Sequence, residues 1–261
     1  MNTSVHLQDH TWEEVKEKIE NGVKTIIIPV GSTEQHGPHL PLGTDTMVAI
    51  ALAESAAAET GILVAPPMWF GWSPHHMVLP GTVTVRAEIL IELACDVMES
   101  LIRHGFQKII LLNGHRIVNV IWLQIAGERI KRTTGARVII FDPAYMSKEF
   151  KSHCDIPAVA EWGDVGHAEE IEGSHMWHYY PDLVKMDRAV DNPHGVKPLY
   201  SVDPSYAGDT MCYVPSSVYE MKASAEKAGG TVGSPSKSSR DGGKAYHEYV
   251  TKRLVEVIGM I

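Results

Sequence analysis

Short apolar runs alternate with longer helical ones along the first 142 residues of this chain, and that alternation leaves few folds open to it. TIIIPVG (25–31), ILVAPP (62–67), KIILLNG (108–114) and ARVIIFD (136–142) read as strands. They are apolar on both faces and rich in β-branched residues, as parallel strands buried between helices are. TWEEVKEKIENGV (11–23) reads as a helix, with a Thr cap, acidic first-turn residues and a late glycine. Residues 44–60 form an Ala-rich helical run that stops at Gly61, and 86–105 and 117–135 are two further helical segments. Strands exchanged with helices of this length predict βαβ units and an α/β fold whose parallel sheet is covered on both faces. Such sheets bind ligands beyond the carboxyl ends of their strands. Each candidate motif can therefore be tested by asking whether it follows a strand.

Beyond residue 143 the pattern loosens. HAEEIEGSHMWHYY (167–180) reads as helical, 191–239 as Gly-, Pro- and Ser-rich loops, and 241–259 as a closing amphipathic helix. Helices on both sides of the loose stretch favour a single domain over residues 1–261. The apolar runs are too short to span a bilayer, and the N-terminal MNTSVHLQDH lacks the basic start and apolar stretch of a secretion signal. Net charge is −9, from 23 basic and 32 acidic residues, which argues against phosphate-driven nucleic-acid binding. Cys95, Cys154 and Cys212 are odd in number and far apart, suggesting neither a disulfide framework nor a thiolate zinc site. The expectation is a cytoplasmic protein acting on a small molecule, with no membrane or nucleic-acid partner.

Fourteen histidines are an excess for this length, and histidine is both a metal ligand and a proton carrier near neutral pH. Where they sit decides what they mean. GSTEQHGPHLPLGTD (31–45) follows the first strand and contains Glu34, His36 and Asp45, ligand types suited to Zn²⁺, Mn²⁺ or Fe²⁺. If 33–36 is extended, Glu34 and His36 point to the same side. The plain alternative is a polar loop with Asp45 as a helix N-cap. LLNGHRIVN (111–119) places His115 at the end of the third strand, where it reads equally as a capping histidine at a tight turn. GWSPHHMVLPGT (71–82) follows the second strand. On an extended chain at most one of His75 and His76 points inward. DVGHAEEIEGSH (164–175) carries His167 and Glu172, with Glu169 and Glu170 read as a solvated acidic face. The motifs after the first three strands fall on one rim of the sheet, which favours a metal site there. No GxGxxG follows a strand, and no P-loop, GxSxG elbow or HExxH is present.

In this order GSTEQHGPHLPLGTD, HHMVLPGT, LLNGH, HAEEIEGS and GGTVGSPSKSSRDGGK resemble the motifs of the creatininase family, from about residue 10 to 250. The resemblance implies a three-layer α/β/α sandwich with a mainly parallel central sheet and a centre of two divalent ions, Zn²⁺ and/or Mn²⁺, with Fe²⁺ as a further option. Carried over, Glu34 and His115 would hold one ion, His36 and Glu172 the other, and Asp45 would bridge them. His167 would be the catalytic histidine. His76, Arg116 and Trp162 are candidates for substrate contact, each with a structural alternative. The resemblance also implies a homo-oligomer, such as a hexamer built as a trimer of dimers.

One departure bears on substrate. Creatininase proper has Tyr-Glu after the NGH histidine, where this chain has Arg116 and Ile117. An isoleucine can neither bind a metal nor move a proton. The expected reaction is hydrolysis of a small cyclic amide by metal-activated water attacking a carbonyl, with His167 protonating the leaving atom. One alternative keeps the metals and opens a cyclic polyol ketone, derived from an inositol, by C–C hydrolysis. The other is a non-catalytic small-ligand-binding α/β protein.

Overall fold

A computed structural model describes residues 3–163, 165–193 and 217–261. Four parallel strands form the central sheet: β1 (Thr25–Val30), β2 (Leu63–Val64), β3 (Lys108–Asn113) and β4 (Arg137–Phe141), in the order β2-β1-β3-β4. Ile27 pairs with Ile110 and Ile110 with Ile139, so β1, β3 and β4 end nearly level at one rim. β2 is shorter than the sequence suggests. Pro66 and Pro67 follow it and cannot donate to a ladder.

Side-chain alternation along the strands sorts the core into two faces. Ile26, Ile28, Val30, Ile109 and Leu111 pack with α1 (Trp12–Glu20), α3 (Ala87–Arg103) and α4 (Val120–Thr134). Ile27, Ile110 and Leu112 face the other way, against α2 (Thr44–Thr60) and α9 (Arg240–Met260). The same layer receives Phe150 from α5 (Ser147–His153), Val159 from α6 (Pro157–Ala160) and Ile171 from α7 (Glu170–Tyr179). Each buried Ile or Leu contributes about 1.5–3 kcal/mol relative to exposure. The chain is thus a mostly parallel sheet with helices on both faces.

Three segments differ from the sequence reading. A helix, α8 (Val218–Ala228), lies inside the stretch read as loops. α4 begins three residues later than expected, because Ile117 takes a left-handed backbone, φ 69°. α7 begins at Glu170, with Glu169 as its N-cap and His167 ahead of the helix. The remainder of the loop reading, residues 194–216, and Cys212 with it, lie outside the described residues. No helix among the described residues is long and apolar enough to cross a membrane.

Two glycines determine how the rim is built. A Cβ on Gly31, just after β1, would lie 2.3 Å from Thr46 Oγ1. A Cβ on Gly114, just after β3, would lie 1.9 Å from the Asp45 carbonyl oxygen. Without those side chains the first turn of α2 presses onto the ends of both central strands and carries Asp45 with it.

Candidate metal centre

The β1–α2 loop supplies Glu34 and His36, the first turn of α2 supplies Asp45, and the turn after β3 supplies His115. Glu172 comes from the first turn of α7, His167 from the segment just ahead of it, and His76 from a short 3-10 helix, Pro74–Val78. These side chains converge. Three overlapping groups each bring one ligand atom per residue within 4.8 Å of the others: Glu34, Asp45 and His115; His36, His167 and Glu172; and Glu34, His76 and His167.

Asp45 sits between two histidines. Its Oδ1 is 3.0 Å from His36 Nε2 and its Oδ2 is 3.1 Å from His115 Nδ1. Glu34 Oε2 lies 3.4 Å from His115 Nε2, and Glu34 Oε1 lies 3.3 Å from His76 Nε2 and 3.7 Å from His167 Nδ1. Glu172 Oε2 is 3.8 Å from His36 Nε2. Glu34 and Asp45 are 0% and 1% exposed. Yet both Glu34 oxygens and Asp45 Oδ2 lack a properly directed hydrogen-bond donor among the described residues. Buried carboxylate oxygens are normally satisfied. Three orphaned oxygens facing imidazole nitrogens are what a cation-binding donor set looks like, and the hard oxygen and borderline nitrogen ligands suit Zn²⁺ or Mn²⁺.

The electrostatics agree. Burial pushes Glu34 up to about 7. Burial opposes the charged form of Asp45 as well, but His36 and His115 hold it well below the usual carboxylate range. Burial also works against protonating His36, but Asp45 beside it, with Glu172 and Glu34, raises it to about 10. His115 rises to about 9 against the same burial cost, through Glu34 and Asp45. These two imidazoles hold protons where the carboxylates need positive charge, a role a divalent ion can take over as the protons leave.

A family model described as creatinine amidohydrolase matches residues 8–258. The chain belongs to the creatininase family. A 3-dehydro-scyllo-inosose hydrolase of Thermotoga maritima is 35% identical over 211 residues, 77% of this chain. That match spans 65% of the relative's length, just under two thirds. The creatinine amidohydrolase of Pseudomonas putida is 29% identical over 221 residues, covering 78% of this chain and 83% of that protein. Among solved structures, a manganese creatininase is 27% identical with a TM-score of 0.77, covering 98% of both chains. A creatininase variant of Zn–Zn type is also 27% identical, with a TM-score of 0.75 and the same coverage.

Of the residues singled out in the sequence, Glu34, His36, Asp45, His115, Glu172 and His167 all lie in the cluster, and so does His76. His75 is buried too, contrary to the expectation that only one of the pair turns inward. The 3-10 helix, unlike an extended strand, does not send neighbours to opposite sides. Trp162 is placed elsewhere. It packs in the core beside Phe150, and its indole N–H donates to the Lys237 carbonyl at 3.1 Å.

Glu169 and Glu170 are not a solvated face. They are 0% and 2% exposed. Glu169 caps α7 by accepting from Glu172 N at 2.8 Å and pairs with Arg116. Glu170 accepts from Gly163 N and, at 2.7 Å, from Ser234 N. Arg116 lies under the cluster. Its Nη2 is 2.7 Å from Glu172 Oε1 and also contacts Glu169.

Gln35 was not singled out by the sequence. Its Oε1 accepts from Gly37 N at 3.0 Å, which orients the amide so that Nε2 donates to His76 Nδ1 at 2.8 Å. His76 then carries its proton on Nε2, towards Glu34. His167 Nε2 lies 2.6 Å from the Gln35 carbonyl oxygen and donates to it. That assigns the proton of neutral His167 to Nε2 and leaves Nδ1 as the open lone pair facing the centre. Burial, with the charge of His36, holds His167 well below the usual histidine range, and burial does the same to His76.

Proposed function

We propose that this chain is a metal-dependent hydrolase that opens or cleaves a small cyclic amide at its C–N bond. In this reading Glu34 and His115 would hold one divalent ion, His36 and Glu172 a second, and Asp45 would contribute to both. The observation that carries it is the pair of Asp45 oxygens, one facing His36 and the other His115, in a buried site with three carboxylate oxygens left without donors. Divalent ions bound there would lower the pKa of water and polarise a carbonyl oxygen.

The chain's own residues supply the rest. His167 is neutral near pH 7, and its Nε2–H is committed to the Gln35 carbonyl. Its Nδ1 therefore first takes a proton, from the attacking water, and then returns it to the leaving nitrogen. His76, held by Gln35, presents Nε2–H towards Glu34 and the reacting region. Burial of the whole cluster excludes bulk water and strengthens these interactions.

A second reading changes only the bond broken: C–C hydrolysis of a cyclic polyol ketone. Two observations favour it. The inosose hydrolase relative is 35% identical against 29% for the creatinine amidohydrolase. Ile117 offers no acid where creatininase proper has its glutamate.

Incubating the protein with cyclic amides and with dehydro-inositols, and reading the products by mass, separates the two. Chelation is expected to abolish turnover, and added Zn²⁺ or Mn²⁺ to restore it. Asp45→Asn is expected to lose bound metal and activity together, since a neutral amide cannot replace a carboxylate shared by two cations. A metal-free Asp45→Asn protein with full activity would overturn the proposal.

A further inference from the structure

His39 follows His36 in the β1–α2 loop, and its imidazole takes no part in the chemistry above. It is 1% exposed, and neither ring nitrogen has a directed hydrogen-bond partner among the described residues. Burial holds it down to about 4, so near pH 7 the ring is neutral, with one N–H to give. A buried donor is normally satisfied, and the position of the ring says which acceptor is in reach. Gly37 turns the chain with φ 62°, and a Cβ there would lie 3.0 Å from His39 Nδ1 and 2.5 Å from Thr231 Oγ1, so only glycine lets the ring fold back this far. Lys185 N donates to the His39 carbonyl at 2.8 Å and fixes its backbone. From there the ring faces the Ala168 carbonyl.

Ala168 stands between His167 and the N-cap of α7. It takes a left-handed backbone, φ 50°, which costs an alanine energy. Such strain persists only where the surroundings hold it. The methyl of Ala168 packs with Leu40, Val48 and Met176. On one side of the turn, His167 N and O pair with Val232 at 2.9 and 2.8 Å. On the other, Ala168 N donates to Glu172 Oε2 at 2.7 Å. The carbonyl is the remaining polar group of the turn, and His39 is the side chain that faces it.

We infer that His39 is a positioning residue for His167: its N–H donates to the Ala168 carbonyl, holds the strained turn, and so keeps His167 Nδ1 aimed at the reacting region. The consequence for turnover rests on the reading of His167 as the proton carrier; the hold on the turn does not. Rotation of Ala168 out of the left-handed region changes the angle between His167 and α7. It would draw the His167 ring off the Gln35 carbonyl, which Nε2–H meets at 2.6 Å. Glycine at 168 adopts the same backbone freely, so His39 would then have little to resist. That gives the role a signature that plain packing lacks. The effect of losing His39 depends on which residue stands at 168.

The test uses the full chain, loaded with Zn²⁺ and labelled with ¹⁵N-histidine. The proton on His167 Nε2, identified by its loss in His167→Asn, is followed by NMR for its exchange with water. His39→Phe keeps a ring and removes the donor. It is expected to speed that exchange about tenfold and to lower kcat about tenfold, the scale for groups that orient others. KM and bound Zn²⁺ are expected to stay unchanged, on whichever amide or inosose the native protein turns over. His39→Gln keeps an N–H and is expected to recover most of both losses. In an Ala168→Gly background, His39→Phe is expected to change the exchange by less than about twofold, the non-additivity of two residues acting on one turn. Should His39→Phe fail to fold, His39→Leu is read in the same way. Unchanged exchange in the apolar variants, or an equal effect with alanine and with glycine at 168, would overturn the inference while leaving the hydrolase reading standing. The expected exchange pattern in a protein that turns over none of the substrates would support the hold on the turn and sink the hydrolase reading alone.

Discussion

Gln35 is a residue whose importance shows only in three dimensions. Its side-chain amide ties Gly37 N to His76, and its backbone carbonyl holds His167, 132 positions away. Gln35→Leu keeps the volume and the carbonyl but removes the amide, so His76 loses its donor. The expected result is a fall in kcat of about 10- to 100-fold, the scale seen for groups that orient others, with bound metal unchanged by elemental analysis. An unchanged kcat would show that the amide positions nothing. The ligand candidates were readable in the sequence for the opposite reason. Glu34, His36, Asp45 and His115 have ligand chemistry themselves and follow strands, so type and place coincide. An amide has no charge to advertise it. The acids of α7 misled for a related reason. A run of acids is solvated unless something neutralises it, and what neutralises Glu169 and Glu170 comes from Arg116, Gly163 and Ser234, none adjacent in the chain.

At the level of elements, the strands and helices that hold the site were legible because short apolar β-branched runs alternate with longer helical segments without interruption as far as β4. α8 was missed although its signal was present. Ser217 and Glu220 form a capping box, but it lies in a Gly-, Pro- and Ser-rich stretch that dominates a composition reading. The late start of α4 has a local cause. Ile117 N donates to Asp142 Oδ2 at 2.6 Å, and Asn113 Nδ2 bonds both Asp142 Oδ2 and the His115 carbonyl, which pins the turn before the helix can begin. A β-branched residue in that backbone region is strained, and strain of this kind concentrates at functional sites. The junction between β3 and α2 is the most demanding of all. Gly114→Ala would put a Cβ 1.9 Å from the Asp45 carbonyl, a backbone atom that cannot rotate away. The substitution is expected to push α2 off the rim, to cost about 3 kcal/mol as severe overpacking does, and to weaken metal binding with it. Denaturant unfolding and metal analysis check both. A stable variant with native metal content would show that α2 is not held against β3 in this way.

The molecule as a whole carries an uneven distribution of histidine charge. Burial pushes His39, His75 and His247 down to about 4 and drives His76, His167 and His175 well below the usual range. A histidine whose folded pKa is depressed contributes its full stability above the unfolded value of about 6.5 and loses it as pH falls through that value towards the folded one. Glu34, raised to about 7, acts in the opposite sense between about 4.5 and 7, as do Asp142 and Glu169, both raised by burial, and His36 and His115 add to it near pH 7, but the six depressed histidines outnumber these five. Cation-free protein is therefore expected to unfold at lower temperature as pH drops from 7 to 4.5. His247 isolates this effect from the metal centre. It sits between α2, α7 and α9, with His175 Nε2 2.8 Å from its Nδ1 and Ser55 Oγ and Tyr179 OH each 2.9 Å from its Nε2. Protonating it would place a charge beside His175 in a network with no carboxylate among those partners. His247→Gln keeps a hydrogen-bonding side chain but cannot take up that proton. Its stability is expected to fall less steeply with acid, by at most about 1.4 kcal/mol per pH unit, one proton's worth. Melting temperatures of both proteins across pH 7.5 to 4.5 check this. Parallel curves would show that His247 carries no share of the acid sensitivity, and that the buried histidines nearer the rim account for it.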